Sequence, residues 1–466
     1  MRAELTAPTM SEAPSDRARR HVLSRGWGLY LLVVAVLVAF VAPDIASTSQ
    51  LVTVDPLNAL AVAAFLAVAL VFRIPVRLYF VLPVLLILIG TSFAFTNAAS
   101  PQSGALVLAK EAYLYIWFVV LVTLMRPRGD LKGMRTVWFL TALVIALVVV
   151  AQVVTRPGFS PGNLFDRLAG REKGTFANEN MFVDYLMFSV FIVLGFAGQV
   201  RWRFLAPSLM VLMVAVLTTK SNGGLFSTLA GMATWALALA WARTARRVQL
   251  LGGLALGLAF AVVAVWFVAE SGVGLGPLQR HAQNITMRMQ SSAELRGRIR
   301  QKLVENWLRA PMGVGPGGIS AAEGLQVGGP GVDLGGTKEG SLRKTWAHND
   351  YLAYLVERGP VGLLGLLLCV GQAFAMVLRS RRRVRTLAGS ARAGDALWAA
   401  LLGALVATSI HSLVIDKMHF RHFWLFLAIL TAMTFEEASA RRTAVPAFRR
   451  APDPAGDPSL APEPQG

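Results

Sequence analysis

Long unbroken apolar runs dominate this chain, and most are close to the roughly 17 to 25 residues that span a membrane as a helix. Their continuity lacks the alternation of a barrel strand, so the pattern predicts helices. We therefore expect an all-α, polytopic integral membrane protein with about twelve transmembrane helices. The runs lie near residues 27–43, 57–72, 78–96, 111–125, 136–154, 181–198, 204–219, 223–242, 248–268, 350–378, 395–415 and 420–435.

Composition agrees with a membrane protein, since 55% of the 466 residues are hydrophobic and only 15% are charged. The net charge of +19 would suit a nucleic-acid-binding protein, but its distribution argues against that function. Arginine and lysine concentrate in alternate connections, whereas the intervening connections at 44–56 and 97–106 contain neither. This is the positive-inside pattern, and it places both termini in the cytoplasm. We expect no nucleic-acid partner.

The same pattern predicts the domain organisation. Residues 1–25 form a basic cytoplasmic N-terminus, followed by transmembrane helices 1–9 in residues 26–268. Residues 269–349 form one large external loop between the ninth and tenth spans, and residues 350–435 form helices 10–12. The Pro-rich and Ala-rich residues 436–466 are typical of a disordered cytoplasmic tail.

The last residues of the long loop suggest chemistry at the membrane surface. His348 stands beside Asn349 and Asp350 where the polar loop meets an apolar run. Imidazole exchanges a proton near neutral pH, so His348 is a candidate general base. It could instead be an interfacial residue, and Asn349 and Asp350 could cap the following helix. We expect Asp350 to cap the helix or to orient His348.

Several cations break the charge pattern on the external side. Arg167, Arg171 and Lys220 lie in short external connections, which must stay near the membrane plane. A bound anion would compensate for these charges, while a solvated loop surface is the alternative. If the first explanation holds, the three side chains converge on one anion-binding site.

Other polar features of the external side are expected to be structural. The spacing of Ile299, Leu303 and Trp307 predicts an amphipathic helix over residues 293–310. We expect the glycines at 313–318 to form a turn, because no strand precedes them and no Lys-Ser/Thr follows. Residues 317–340 are dense in glycine, and we expect them to be a mobile segment over the site.

Titratable residues near or within the apolar runs need partners. His411, His419 and His422 lie near Asp416, but their spacing matches no compact zinc motif, so we expect interface anchoring and a supporting role at the acceptor entrance. Buried carboxylates in a membrane must be paired or face a cavity. This expectation applies to Glu111, Asp184 and Glu357.

Five motifs together resemble the O-antigen ligase and polymerase superfamily, over roughly residues 20–435. They are Arg296 followed fifteen residues later by Pro311, then Met312–Gly317, His348–Leu352 and Leu355–Leu364, with Gly174–Asn180 further upstream. One position departs from the family: its Ser-Arg-Gly step reads Ser221-Asn222-Gly223 here. Lys220 supplies a charge nearby, but an ammonium lacks the bidentate geometry of guanidinium.

The resemblance implies a metal-independent, inverting glycosyltransferase without a cofactor, in the cytoplasmic membrane of a bacterium. Its donor would be a glycan on a polyprenyl pyrophosphate among the membrane lipids, and its acceptor a sugar hydroxyl of a glycan or glycolipid. His348 would be the base and Arg296 would bind the pyrophosphate. The remaining substrate-binding candidates are Lys220, Arg171, Arg167, Asn349, Asp350, Asn178 and Asn180.

Two alternatives stay open. The sequence does not separate a ligase from a polymerase, because the two share donor chemistry and differ in acceptor. A flippase of lipid-linked oligosaccharide would also be polytopic and basic. A transporter is expected to contain repeat-related spans with polar groups near the membrane midplane, and no internal repeat is evident.

Overall fold

All regular structure in the described residues is helical, apart from one isolated bridge between Ala197 and Val200. The computed structural model describes residues 14–40, 55–74, 76–98, 101–125, 128–155, 172–176, 178–243, 296–297, 299–321 and 348–434. The described residues belong to one compact unit, Met1–Thr434. The helical class predicted from the apolar runs is thus confirmed for these ranges.

The helices are numbered here in chain order. They are α1 (Pro14–Leu37), α2 (Asp55–Val71), α3 (Val81–Phe95), α4 (Pro101–Leu124), α5 (Arg128–Thr155), α6 (Glu179–Leu194), α7 (Trp202–Thr218), α8 (Asn222–Arg243), α9 (299–309), α10 (Gly318–Ala321), α11 (Asp350–Arg379), α12 (Arg381–Ala388), α13 (Ala391–His411) and α14 (Arg421–Thr434).

Eleven of the predicted apolar runs coincide with these helices, and the run at 248–268 lies outside the described residues. Among the described helices, five segments are long and apolar enough to cross a membrane: Gly104–Leu124, Leu131–Thr155, Asn222–Ala242, Asp350–Arg379 and Ala391–His411. Five further apolar segments are shorter. The protein is therefore a helical membrane protein, while the count of twelve spans stays a prediction.

Helix α6 is at the centre of the bundle. Every side chain from Met181 to Leu194 is buried, as expected of a helix that is apolar on all sides. Trp138 of α5 stacks on Tyr185 with ring centroids 5.4 Å apart, and its indole N–H donates to Ser189 Oγ at 2.9 Å. Helices α7, α8, α13 and α14 also contact α6.

Small residues allow two helix pairs to approach closely. A Cβ atom on Gly231 of α8 would lie 2.5 Å from the carbonyl oxygen of Gly403 in α13. In the pair of α3 and α11, a Cβ atom on Gly90 would lie 2.5 Å from the backbone nitrogen of Gly362. Close approach at small residues replaces hydrophobic burial as a source of stability between helices in lipid.

The basic cluster around α12 serves as a cap for neighbouring helices. Arg381 donates to the carbonyl oxygen of Ala242 at the end of α8, and Arg383 donates to that of Met433 near the end of α14. Arg381 and Arg385 also pair with Asp395. The last carbonyl groups of a helix have no partner within the helix, so these contacts stabilise the ends of the bundle.

Candidate functional site

His348 lies immediately before α11 and is held through its backbone. The backbone N–H groups of His348 and Asn349 donate to the two carboxylate oxygens of Asp416, each at 3.0 Å. His348 has the unusual left-handed φ of +48° and a half-buried side chain. Asp416 therefore fixes the backbone from which the imidazole projects.

The first turn of α11 is joined to the connection between α13 and α14, residues 412–420. The Asp350 N–H donates to the carbonyl oxygen of Ser412 at 2.8 Å, and Asp350 Oδ1 accepts from the N–H of Lys417 at 2.9 Å. Asn349 is the helix cap, since its side chain accepts from the N–H of Leu352 at 3.0 Å. The residue that caps α11 is thus Asn349 and not Asp350. The carboxylate that holds the backbone of His348 is that of Asp416.

A buried cluster of titratable side chains around Asp184 holds the 412–420 connection against α6. Asp184 of α6 accepts from His411 Nδ1 at 2.7 Å, His422 Nε2 at 3.1 Å and Lys417 Nζ at 3.3 Å. These side chains are at most 1% exposed. Lys417 also donates to the carbonyl oxygen of Thr408 at 2.7 Å. Two of the histidines considered as metal ligands are therefore bound to a carboxylate, and no group of metal-ligating side chains occurs among the described residues.

Arg296 is the cation whose charge acts on His348. Burial lowers the pKa of His348, and the positive charge of Arg296 lowers it further. A neutral imidazole is the form that accepts a proton, so this environment favours a base at neutral pH. Arg300 donates to the carbonyl oxygen of Leu413 at 3.4 Å and so joins α9 to the 412–420 connection.

Helix α9 packs through its apolar face on the first half of α11. Ile299 and Leu303 are buried in a small cluster with Ile319 and Val356, and Trp307 packs against it. The predicted amphipathic helix is confirmed over its described part, 299–309. This packing positions the Arg296 segment beside the start of α11.

The glycine-rich segment after α9 binds to a break in α11. Gly359 has a φ of +67°, and Pro360 has no N–H to offer the carbonyl oxygen of Val356. Val314 donates to that oxygen at 2.9 Å, and Gly315 donates to the carbonyl oxygen of Glu357 at 3.1 Å. The predicted turn is confirmed. The N–H groups of Val314 and Gly315 already donate to carbonyl oxygens of α11, so they are not available to bind a phosphate.

Two further ion pairs join different helices. The buried Arg358 of α11 pairs with Glu111 of α4 and donates to Thr91 Oγ1 of α3 at 3.1 Å. Arg421 at the start of α14 pairs with Asp55 at the start of α2. The expectation that Glu111 and Asp184 are paired is confirmed.

The upstream motif Gly174–Asn180 and Lys220 lie beside the 412–420 connection. Asn178 caps α6 by accepting from the N–H of Met181 at 2.8 Å, and Asn180 Oδ1 accepts from Ser221 Oγ at 2.9 Å. Lys220 has a φ of +52° between α7 and α8. A Cβ atom on Gly223 would lie 2.5 Å from Val414, so the start of α8 packs tightly on residues 412–420.

The structure therefore gathers most of the candidate residues around one short connection, which sequence reasoning gave only a supporting role. His348, Asn349 and Asp350 hydrogen-bond to it, and the segments of Lys220 and Arg296 lie against it. The sequence signal that pointed to the 412–420 connection was its density of charged and titratable residues between two apolar runs. Arg167, Arg171 and most of the 317–340 segment lie outside the described residues.

An all-helical membrane protein with a polar site at one end of its bundle is the class that the fold and the site define. A family model described as O-Antigen ligase matches residues 206–367, from α7 to α11. This stretch includes Lys220, Arg296 and His348, and the match confirms the resemblance to the O-antigen ligase and polymerase superfamily. Residues 206–367 are thus similar to the O-antigen ligase family. A comparison with curated proteins finds no match.

Proposed function

We propose that this protein is an inverting, metal-independent glycosyltransferase that moves a glycan from polyprenyl pyrophosphate to an acceptor sugar hydroxyl. The observation that carries the proposal is the placement of His348. Its backbone is fixed by Asp416, and burial and the charge of Arg296 lower the pKa of its imidazole, which favours the neutral form. The family match supports a membrane glycan ligase or polymerase as the broader class.

The proposed step is a single displacement. The acceptor hydroxyl loses its proton to the imidazole of His348 while its oxygen attacks the anomeric carbon of the donor. The bond between that carbon and the pyrophosphate oxygen breaks, and the pyrophosphate leaves on the opposite face. Arg296 stabilises the charge on the leaving group, as preorganised cations do in phosphate chemistry. No covalent enzyme intermediate is needed, so configuration inverts.

The surroundings of the site supply the remaining roles. Lys220, and Arg167 and Arg171 in the preceding external connection, add positive charge for the pyrophosphate. Asn178 and Asn180 add polar groups near the substrate, while Asn349 and the buried Asp350 act on it through the segment of His348 that they hold. Side chains provide both the base and the cations, so the reaction proceeds without a divalent metal. The site faces the outside of the bacterial cytoplasmic membrane, with both termini in the cytoplasm.

A reconstituted transfer assay tests the proposal. The full chain in nanodiscs is given a labelled glycan on undecaprenyl pyrophosphate, an excess of chelator, and either a glycolipid or a second lipid-linked glycan as acceptor. We expect a transferred product with inverted anomeric configuration, and its acceptor distinguishes a ligase from a polymerase. Retained configuration or a metal requirement would contradict the mechanism. Movement of the donor across a proteoliposome bilayer without transfer would indicate a flippase.

A further inference from the structure

Helix α9 carries a second apolar face, and this one is exposed. Ile299 and Leu303 form the face that packs on α11. By the 3.6-residue repeat of a helix, Val304 and Leu308 lie on another side, where they are 39% and 66% exposed. Met312, in the turn after the helix, is 46% exposed. A helix that met only water on this side would carry polar residues there. Val304, Leu308 and Met312 are called the exposed stripe below.

The polar residues of α9 are concentrated on a third side. Lys302, Glu305 and Arg309 recur at intervals of three and four residues, so they share one face of the helix. Glu305 and Arg309 are exposed, and Gln301 Nε2 donates to Glu305 Oε1 at 3.2 Å. Helix α9 therefore has one face against protein, one apolar exposed face and one polar face. An apolar face beside a polar face suits the boundary between hydrocarbon and water.

The segment that follows α9 lies where two helices of the bundle end. Asn97, two residues after α3, donates from Nδ2 to the carbonyl oxygen of Gly313 at 2.9 Å. A Cβ atom on Gly104, where the membrane-crossing segment of α4 begins, would lie 3.4 Å from Cγ of Pro316. Irregular backbone is not tolerated among lipid chains, so spans begin and end near the edge of the hydrocarbon layer. Residues 313–316 therefore lie at that edge.

The other end of α9 contacts the end of a further span. Arg300 donates to the carbonyl oxygen of Leu413 at 3.4 Å, and Leu413 follows the last residue of α13 by two positions. Helix α13 is itself long and apolar enough to cross a membrane. Both ends of α9 thus contact the ends of spans, so the helix runs across the end of the bundle rather than away from it.

A lipid bilayer is the partner that fits this surface. Leu106 of α4 and Leu413, which lie beside the two ends of α9, are apolar and exposed as well. Residues 296–309 contain five cations and one anion, and cations beside an apolar face attract anionic lipid head groups. Trp307 donates its indole N–H to the carbonyl oxygen of Pro311 at 3.1 Å. Its ring can therefore contact lipid without an unsatisfied donor.

We propose that α9 lies in the surface of the membrane, with the exposed stripe among the lipid head groups and the first carbons of the acyl chains. The apolar faces of such helices enter the bilayer by about 5–10 Å. The consequence for catalysis rests on the proposed function. Arg296 directly precedes α9, so the buried stripe of lipid contacts holds this cation at the depth of the head groups, where the pyrophosphate of a lipid-linked donor lies.

Fluorescence quenching in nanodiscs tests the location of α9. Cys369 is the single cysteine of the sequence, so Leu308→Cys and Glu305→Cys are each made in the full chain with Cys369→Ala and labelled with the fluorophore NBD. Both side chains are exposed, so neither change alters the core. We expect lipids with a nitroxide near the top of the acyl chain to remove most of the emission at position 308 and little at position 305. Iodide in the buffer should do the reverse.

Depth is measured by moving the nitroxide along the lipid. A nitroxide at the end of the acyl chain should quench the label at position 308 less than one near the top, because an interfacial helix enters only about 5–10 Å. Quenching of both labels by iodide alone would place the exposed stripe in water and overturn the proposal. Protection of position 308 from iodide and from every lipid nitroxide would show that protein covers the stripe, which would also overturn it.

The quenching measurement does not depend on catalysis. Lipid quenching at position 308 without any glycan transfer would refute the glycosyltransferase and retain the membrane-bound helix. Glycan transfer together with iodide quenching at both positions would refute only the location of α9.

Discussion

The carboxylate of Asp416 accepts a 3.0 Å hydrogen bond from the backbone N–H of His348, although 68 residues separate them in the sequence. Its second oxygen holds the N–H of Asn349 at the same distance. The left-handed backbone of His348 costs roughly 1–2 kcal/mol. Hydrogen bonds to a charged group contribute about 1.5–3 kcal/mol each, which is enough to offset that cost. Asp416 thus selects the backbone conformation that presents the imidazole.

Removal of this carboxylate should disturb catalysis more than folding. We expect Asp416→Ala to lower kcat by on the order of a hundredfold, since small displacements of a catalytic group have effects of that size. Asp416→Asn keeps one acceptor oxygen and should lose less. Asp395→Ala is the control, because it removes the carboxylate that pairs with Arg381 and Arg385 near the other end of α13. Similar kcat values for Asp416→Ala and the wild type would contradict the positioning role.

The pH dependence of kcat/KM should report the environment of His348. Activity requires the neutral imidazole, so it should fall as the pH drops through the pKa of His348, which lies below its ordinary value because of burial and Arg296. Arg296→Gln removes the neighbouring charge and should raise that pKa, moving the acidic limb of the profile to higher pH. The exposed Arg309 at the end of α9 provides the control variant Arg309→Gln. Identical acidic limbs for wild type and Arg296→Gln would exclude His348 as the titrating base.

Charge and geometry can be separated at the proposed pyrophosphate site. If Arg296 binds the pyrophosphate bidentately, Arg296→Lys should lose much of the activity despite its retained charge. Lys220→Arg should be tolerated, while Lys220→Ala should be harmful. Steady-state rates with an undecaprenyl-pyrophosphate-linked donor and no added divalent metal provide the measurement. Unchanged rates in both Arg296→Lys and Lys220→Ala would remove the two residues from the mechanism.

The contact between the glycine-rich segment and the break in α11 should contribute to stability. Gly313 has a φ of +104°, and a Cβ atom there would lie 2.7 Å from the carbonyl oxygen of Glu357. Gly389 has a φ of +74° but open space around it, so Gly389→Ala isolates the backbone cost of roughly 1–2 kcal/mol. We expect Gly313→Ala to lower the Tm in detergent more than Gly389→Ala. Equal decreases in Tm would show that the glycine-rich segment accommodates the added Cβ atom with no further loss of stability.

Apolar runs predicted the helices well because each membrane helix forms its own backbone hydrogen bonds, which makes hydrophobic length a sufficient signal. The amphipathic helix and the turn after it were also predictable, since Ile299, Leu303 and Pro311 act locally. The break in α11 is different. Its motif was visible at Gly359 and Pro360, but the carbonyl groups it frees are satisfied by Val314 and Gly315, and no local pattern shows that pairing.

The site was predictable only in part, because some of its contacts join residues that are distant in the sequence. His348 stood out by its chemistry, and Arg296 by the family spacing. The role of Asp416 depends on contact across α11, α13 and the connection between α13 and α14, and sequence alone grouped it with three histidines instead. Asp184 was expected to be paired or to face a cavity, and its partners Lys417, His411 and His422 depend on the packing of α6 against α13 and α14.

The most direct test of the account is the transfer rate of His348→Ala measured beside that of His281→Ala, a histidine outside every motif. Both variants should insert into the membrane and unfold near the wild-type temperature. His348→Ala should transfer glycan from undecaprenyl pyrophosphate about a hundredfold more slowly or worse, the usual loss when a positioned base is removed, while His281→Ala should match the wild type. Near-normal transfer by His348→Ala would contradict the central claim and leave the histidine a structural residue of the membrane interface.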